Sequence, residues 1–190
     1  DIFETDSRRP AVGSARSLPG RPRGNARAID QLAQAGALNL AALAMAEFAC
    51  GATGENPNGP EPVNPLDPAA VVGGSSSGSA VAVAAGLCYA SLGTDTAGSV
   101  RIPAATCGVV GLKPTYDLIS RSGVFPLAGS LDCAGILARS AADVAQVLAA
   151  VSSRDAWLGD AGADPDRIEQ YLLAPRRWRI NTHLALSELA

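Results

Sequence analysis

Apolar and polar positions divide the chain into stretches of different character. Residues 1–28, rich in Arg, Pro, Ser and Gly, show no period and read as irregular surface structure. From Ala28 the spacing of Ile29, Leu32 and Ala35 predicts a helix stopped by Gly36; Ala37 to Met45 then reads as a short buried strand or as more helix, which periodicity does not separate. Residues 51–68 hold five prolines and three glycines and predict a long loop. Gly73 to Ser79 is a second loop, followed by a small-residue helix from Ala80 to Ala85 with Gly86 as its C-cap. Leu87 to Leu92 suits a buried strand, and Gly93 to Ser99 makes another loop, after which Arg101-Ile-Pro-Ala turns the chain. At 140–151, Ser140 as N-cap, Asp143 in the first turn and Val144, Val147, Leu148 and Val151 on one face predict a helix. Residues 152–190 are more polar, and their last stretch, 182–190, suits a helix.

Composition narrows the classes. Apolar residues make up 47% of the 190 and charged residues 17%, against about 45–50% and 25% in ordinary globular chains. Charge is short and hydrophobic content is not, which excludes disorder. Length predicts one domain, 1–190. Fifteen basic and eighteen acidic residues give a net charge of −3 without a basic stripe, which excludes nucleic acid as a partner. No run reaches the roughly 18 apolar residues of a membrane span, so a soluble, cytoplasmic chain is expected. Cys50, Cys88, Cys107 and Cys133 lack CxxC spacing and are expected as four buried free thiols. The sequence begins at Asp1 and not at Met, which reads as a processed or truncated product.

The chemistry lies between Gly74 and Lys113, where Asp95, Arg101 and Lys113 are the only charged residues. Such a stretch belongs to an interior, so Asp95 and Arg101 should pair there. A serine hydroxyl needs a base and donors for an oxyanion before it can act as a nucleophile. In Thr96-Ala97-Gly98-Ser99, small residues allow consecutive backbone N–H groups to converge on a carbonyl oxygen. Gly73-Gly74-Ser75-Ser76-Ser77-Gly78 can bring a second hydroxyl alongside.

Three segments in order, Gly73–Ser79, Gly93–Ala104 and Cys107–Thr115, resemble the signature of the amidase signature family of serine hydrolases. Ala46-Glu-Phe-Ala49 before them, and Ser120–Leu127, Ser130-Leu-Asp132 and Gly135–Arg139 after them, are similar to the family's flanking segments. The likeness covers residues 36–151 well, residues 1–35 weakly and residues 152–190 not visibly. It implies an α/β fold with a mixed β-sheet flanked by helices, here as an incomplete domain. It also implies hydrolysis of a linear amide, a small-molecule substrate, no cofactor and no metal; a homo-oligomer is compatible with it. By this resemblance Ser99 is the nucleophile, and Ser75, after a cis peptide bond, relays the proton. The N–H groups of Thr96, Ala97, Gly98 and Ser99 form the oxyanion hole, Asp95 and Arg101 are scaffolding, and Ser76 and Ser77 support Ser75 by hydrogen bonds.

The sequence departs from the family at the base. The family uses a lysine well upstream of the first serine loop, and no lysine here precedes Lys113. Asp1-Ile-Phe-Glu-Thr-Asp6 resembles the family's segment immediately after that lysine, which places it just before Asp1. A second family lysine, in Gly-Lys-Thr, falls at Ala41-Ala42-Leu43, and Lys113 matches a structural position. A non-catalytic amidase-like protein is therefore the second reading. A third takes Gly74-Ser-Ser-Ser-Gly78 as a nucleophile elbow with Ser76 as nucleophile and His183 as base. Neither glycine cluster leads into Gly-Lys-Ser or Gly-Lys-Thr, which excludes a P-loop.

Overall fold

A computed structural model describes residues 1–16 and 18–152. In chain order they form α1 (Arg27–Gln34), a 3-10 turn (Glu47–Ala49), α2 (Ser77–Ala84), β1 (Ala90–Asp95), α3 (Arg101–Thr106), β2 (Val110–Leu112), β3 (Cys133–Ala138) and α4 (Ala141–Val151). The strands make a sheet of order β1-β3-β2, with both ladders antiparallel. Leu92 pairs with Ile136 and Asp95 with Cys133 on one side of β3, and Leu112 pairs with Ile136 on the other.

β3 lies between its two neighbours and all six of its residues are buried, which explains its unbroken small and apolar run. Its alternation divides the core. Ala134, Ile136 and Ala138 face the α4 stripe of Val144, Val147, Leu148 and Val151, with Ala28 and Ile119. Leu137 points the other way, into Ala80 and Val83 of α2 and Val100, Ala104 and Cys107 at α3. A sheet flanked by helices is the architecture the resemblance implied, and its described ladders are the antiparallel part.

The element boundaries require corrections. α2 begins at Ser77, inside the expected serine loop, because small residues can enter a helix once Ser76 turns the backbone; Gly86, at φ +72°, ends it as expected. The strand expected at Leu87–Leu92 starts at Ala90 and continues to Asp95, leaving Leu87 exposed. Arg101-Ile-Pro-Ala opens α3, with Pro103 in the first turn where its missing N–H costs little. Ala37–Met45 is neither strand nor helix. Leu38 and Leu40 are exposed, and the end of this stretch bonds to the serine loop: Gly78 N–H donates to Ala44 O at 2.9 Å and Ala46 N–H to Ser75 O at 3.0 Å.

Residues 1–16 and 18–26 are irregular but not merely superficial, since Ile2 and Val12 are buried with Met45 and Ala49. Of the four free thiols, Cys107 and Cys133 are buried, Cys88 is partly so and Cys50 is exposed. The helix expected at 182–190 lies outside the described residues.

The N-cap of α4 is complete, with Ser140 Oγ accepting the Asp143 N–H at 3.1 Å. Ser140→Ala should lower stability by about 1 kcal/mol, read as a lower urea midpoint at unchanged slope. An unchanged midpoint would show that the cap is energetically idle.

Candidate active site

The two serine loops meet through their backbones. Ser76 N–H donates to Ser99 O at 3.1 Å, and the Gly74–Ser75 peptide bond is cis. Gly73 and Gly74 donate to Thr53 O at 2.9 Å and Ala52 O at 2.8 Å, so the proline-rich loop forms one wall of the turn and the Ala44–Ala46 stretch another. The approach is close enough that a Cβ at Gly74 would overlap Gly51 O. Ser75 is buried, and its hydroxyl has no hydrogen-bond partner among the described residues.

Ser76 and Ser77 do not support that hydroxyl as expected. Ser76 Oγ points toward β1 and reaches Thr94 O at 3.5 Å, and Ser77 Oγ, at the start of α2, has no partner among the described residues. Their role in the structure is the backbone link to Ser99 and the first turn of the helix. No strand among the described residues leads into this turn, contrary to what a nucleophile elbow at Ser76 requires, and His183 lies outside the described residues.

The second loop is organised by a fully buried carboxylate. Asp95 Oδ1 accepts from Gly98 N–H at 2.8 Å, and Oδ2 accepts from Val100 N–H at 3.2 Å and Arg101 N–H at 3.3 Å. Arg101 closes a two-pronged ion pair, Nε to Oδ2 and Nη2 to Oδ1, each at 3.0 Å. Burial pushes the Asp95 pKa up, but the Arg101 guanidinium and the Val100 and Gly98 N–H groups outweigh it and hold the carboxyl below its ordinary value. The pairing expected from the lack of other charges is therefore present, as a cap on the turn that ends β1 and starts α3.

This cap changes the set of expected oxyanion donors. Gly98 N–H is already committed to Asp95, whereas Thr96, Ala97 and Ser99 keep backbone N–H groups without a partner among the described residues. Gly98 serves through its conformation: at φ +126° with Ile102 against it, a side chain would be strained and crowded. Ser99 is half-buried and Ala97 exposed, so the turn opens outward.

Two amides in the proline-rich loop escaped the sequence reading. Asn64 Nδ2 donates to Val71 O at 3.2 Å and Thr106 O at 3.0 Å, and Asn56 Nδ2 donates to Gly13 O and Met45 O, each at 2.7 Å. They fasten the loop around the serine turn. Nothing but their place in that loop marked them.

Because folding lowers the Asp95 pKa, the unfolded chain takes up the proton first. The stabilisation is complete above about pH 4 and is lost as pH falls through the lower folded value. Acid unfolding followed by circular dichroism should therefore be less steep in Asp95→Asn, which should also be less stable at pH 7. Equal stability of the two proteins at pH 7 would contradict the role given to this carboxylate.

Comparison with known proteins places this geometry in a family. A family model described as Amidase matches residues 1–180. A glutamyl-tRNA(Gln) amidotransferase subunit of Desulfotalea psychrophila is 52% identical over 131 residues, covering 69% of this chain and 27% of that protein. A putative amidase, AmiD, of Mycobacterium tuberculosis is 43% identical over 165 residues, 87% of this chain and 34% of that one. Among solved structures, an amidase crystal structure superposes with a TM-score of 0.74 at 48% identity, covering 79% of this chain and 34% of that chain. The native peptide amidase of Stenotrophomonas maltophilia does so with 0.71 at 40% identity, covering 84% and 35%. The chain spans between about a quarter and a third of the length of these relatives. With a family model across residues 1–180 and solved amidases sharing its fold, this chain belongs to the amidase family.

Proposed function

We propose that this chain carries the nucleophile half of an amidase site that hydrolyses a linear amide C–N bond through an acyl-enzyme on Ser99. The observation that carries the reading is the 3.1 Å bond from Ser76 N–H to Ser99 O, which fastens the Ser75 turn to the Ser99 turn. Ser99 Oγ attacks the amide carbonyl and passes its proton to Ser75, whose buried hydroxyl is free to receive and return one. The developing oxyanion is held by the N–H groups of Thr96, Ala97 and Ser99. Collapse expels the amine with that proton, and water then releases the acid from Ser99.

The base in this reading is a lysine at the position before Asp1. The chain is read as part of a single amidase domain with its signature core at 36–151. Four free cysteines fit a reducing compartment such as the cytoplasm, and no helix among the described residues is long and apolar enough to cross a membrane.

One observation favours the second reading, a non-catalytic amidase-like protein. Lys113, the sole lysine of the sequence, donates to Pro114 O at 2.8 Å and contacts Cys133 Sγ at 3.7 Å, a structural engagement.

Ammonia release from a panel of linear primary amides separates the readings. With a lysine added before Asp1, turnover is expected. Ser99→Ala should lower it by roughly four orders of magnitude or more and Ser75→Ala by at least about a hundredfold, with circular dichroism unchanged. Turnover that survives Ser99→Ala would overturn the proposal. A folded protein without turnover, lysine added, would support the second reading.

A further inference from the structure

Asp132 is the one charged residue between Arg121 and Arg139, and it is buried at 5% exposure. It directly precedes β3, whose first residue, Cys133, pairs with Asp95. One step beyond that pair, the antiparallel register sets Asp132 opposite Thr96. The Thr96 hydroxyl donates to Asp132 Oδ1 at 2.6 Å. Leu127 N–H donates to Oδ2 at 2.9 Å, and Ala128 N–H is shared between Oδ1 at 3.0 Å and Oδ2 at 2.9 Å.

Consecutive strand positions face opposite sides of a sheet. Asp95 therefore grips Gly98, Val100 and Arg101 from one side, while Asp132 grips Thr96 from the other. The Thr96–Ser99 turn is held between two buried carboxylates. Asp132 also lines, with Thr94, Cys133 and Pro126, a cavity of about 630 Å³ at this end of the sheet.

We propose that Asp132 is a positioning residue for the oxyanion site, acting through the Thr96 hydroxyl to set the orientation of the Thr96 and Ala97 N–H groups. The role rests on the reading of Ser99 as nucleophile. Asp132 itself touches no reacting atom; it anchors Thr96 to the 127–128 turn, so those N–H groups keep their direction when charge develops on the carbonyl oxygen.

The test uses Thr96→Val, which removes the hydroxyl and leaves both Asp132 oxygens with backbone donors, Thr96→Ser, which keeps it, and Asp132→Asn. Two quantities are measured: affinity for an alkyl boronic acid, which forms a tetrahedral adduct on a nucleophilic serine, and hydrogen exchange of the Thr96 and Ala97 amides by NMR. Thr96→Val and Asp132→Asn should weaken the boronate by about tenfold or more and speed exchange at both amides. Thr96→Ser should restore both to wild-type values.

Unchanged exchange in Thr96→Val overturns the proposal, and so does faster exchange with unchanged boronate affinity. Boronate binding that persists in Ser99→Ala, or is absent from the protein carrying a lysine before Asp1, overturns the nucleophile reading; amide exchange then decides alone whether Asp132 fixes the turn. If Asp132→Asn does not fold, Thr96→Val against Thr96→Ser decides the matter.

Discussion

A buried carboxylate at the end of a strand is the constraint on which the rest of this structure depends. Asp95 has no exposed surface, and a carboxylate so placed is tolerable only with its oxygens fully engaged. Its partners come from the next six residues: the N–H groups of Gly98, Val100 and Arg101 and the Arg101 side chain. Satisfying one charge thus stops β1, folds the Thr96–Ser99 turn and sets the direction of α3. The N–H groups left over in that turn are those of Thr96, Ala97 and Ser99, which have no partner among the described residues.

Close approach is the second constraint. The Ser75 turn has the Asn56-fastened proline-rich loop on one wall, the Ala44–Ala46 stretch on another and the Ser99 turn beyond. Backbones so near one another exclude side chains. A Cβ at Gly78 would lie 2.6 Å from Ala44 N, and one at Gly93 would lie 2.6 Å from Ser76 Oγ. The glycine and serine content of these segments follows from that crowding, and so does the burial of the Ser75 hydroxyl without a partner among the described residues. An unsatisfied buried hydroxyl costs about 1–3 kcal/mol, and the crowded turn carries two of them among the described residues, on Ser75 and Ser77.

Parts of this were legible in the residues. The lack of other charges around Asp95 and Arg101 required their pairing, and the Ser140 cap with its apolar stripe marked α4. The same charge argument applied to Asp132, alone between Arg121 and Arg139, and would have marked it too. β2 and β3 were hidden because they are short and contain glycine, so neither shows an alternating pattern; β3 is identified by burial on both faces, a tertiary fact. Ala37–Met45 misled because its apolar residues imply a regular buried element, whereas Leu38 and Leu40 are exposed and only its end is engaged, with Met45 packed against Ile2 and Val12 and Ala44 O accepting from the serine loop. The donor role expected of Gly98 failed because spacing shows which N–H groups are close, not which a neighbouring carboxylate has already taken.

The central claim is that the two serine turns together make Ser99 a nucleophile. It is tested most directly by placing a lysine before Asp1, treating that protein with a fluorophosphonate and mapping the labelled peptide by mass spectrometry. A single adduct on Ser99, lost in Ser75→Ala, is the expected result. An adduct on another serine, or labelling of Ser99 indifferent to Ser75, would contradict the account.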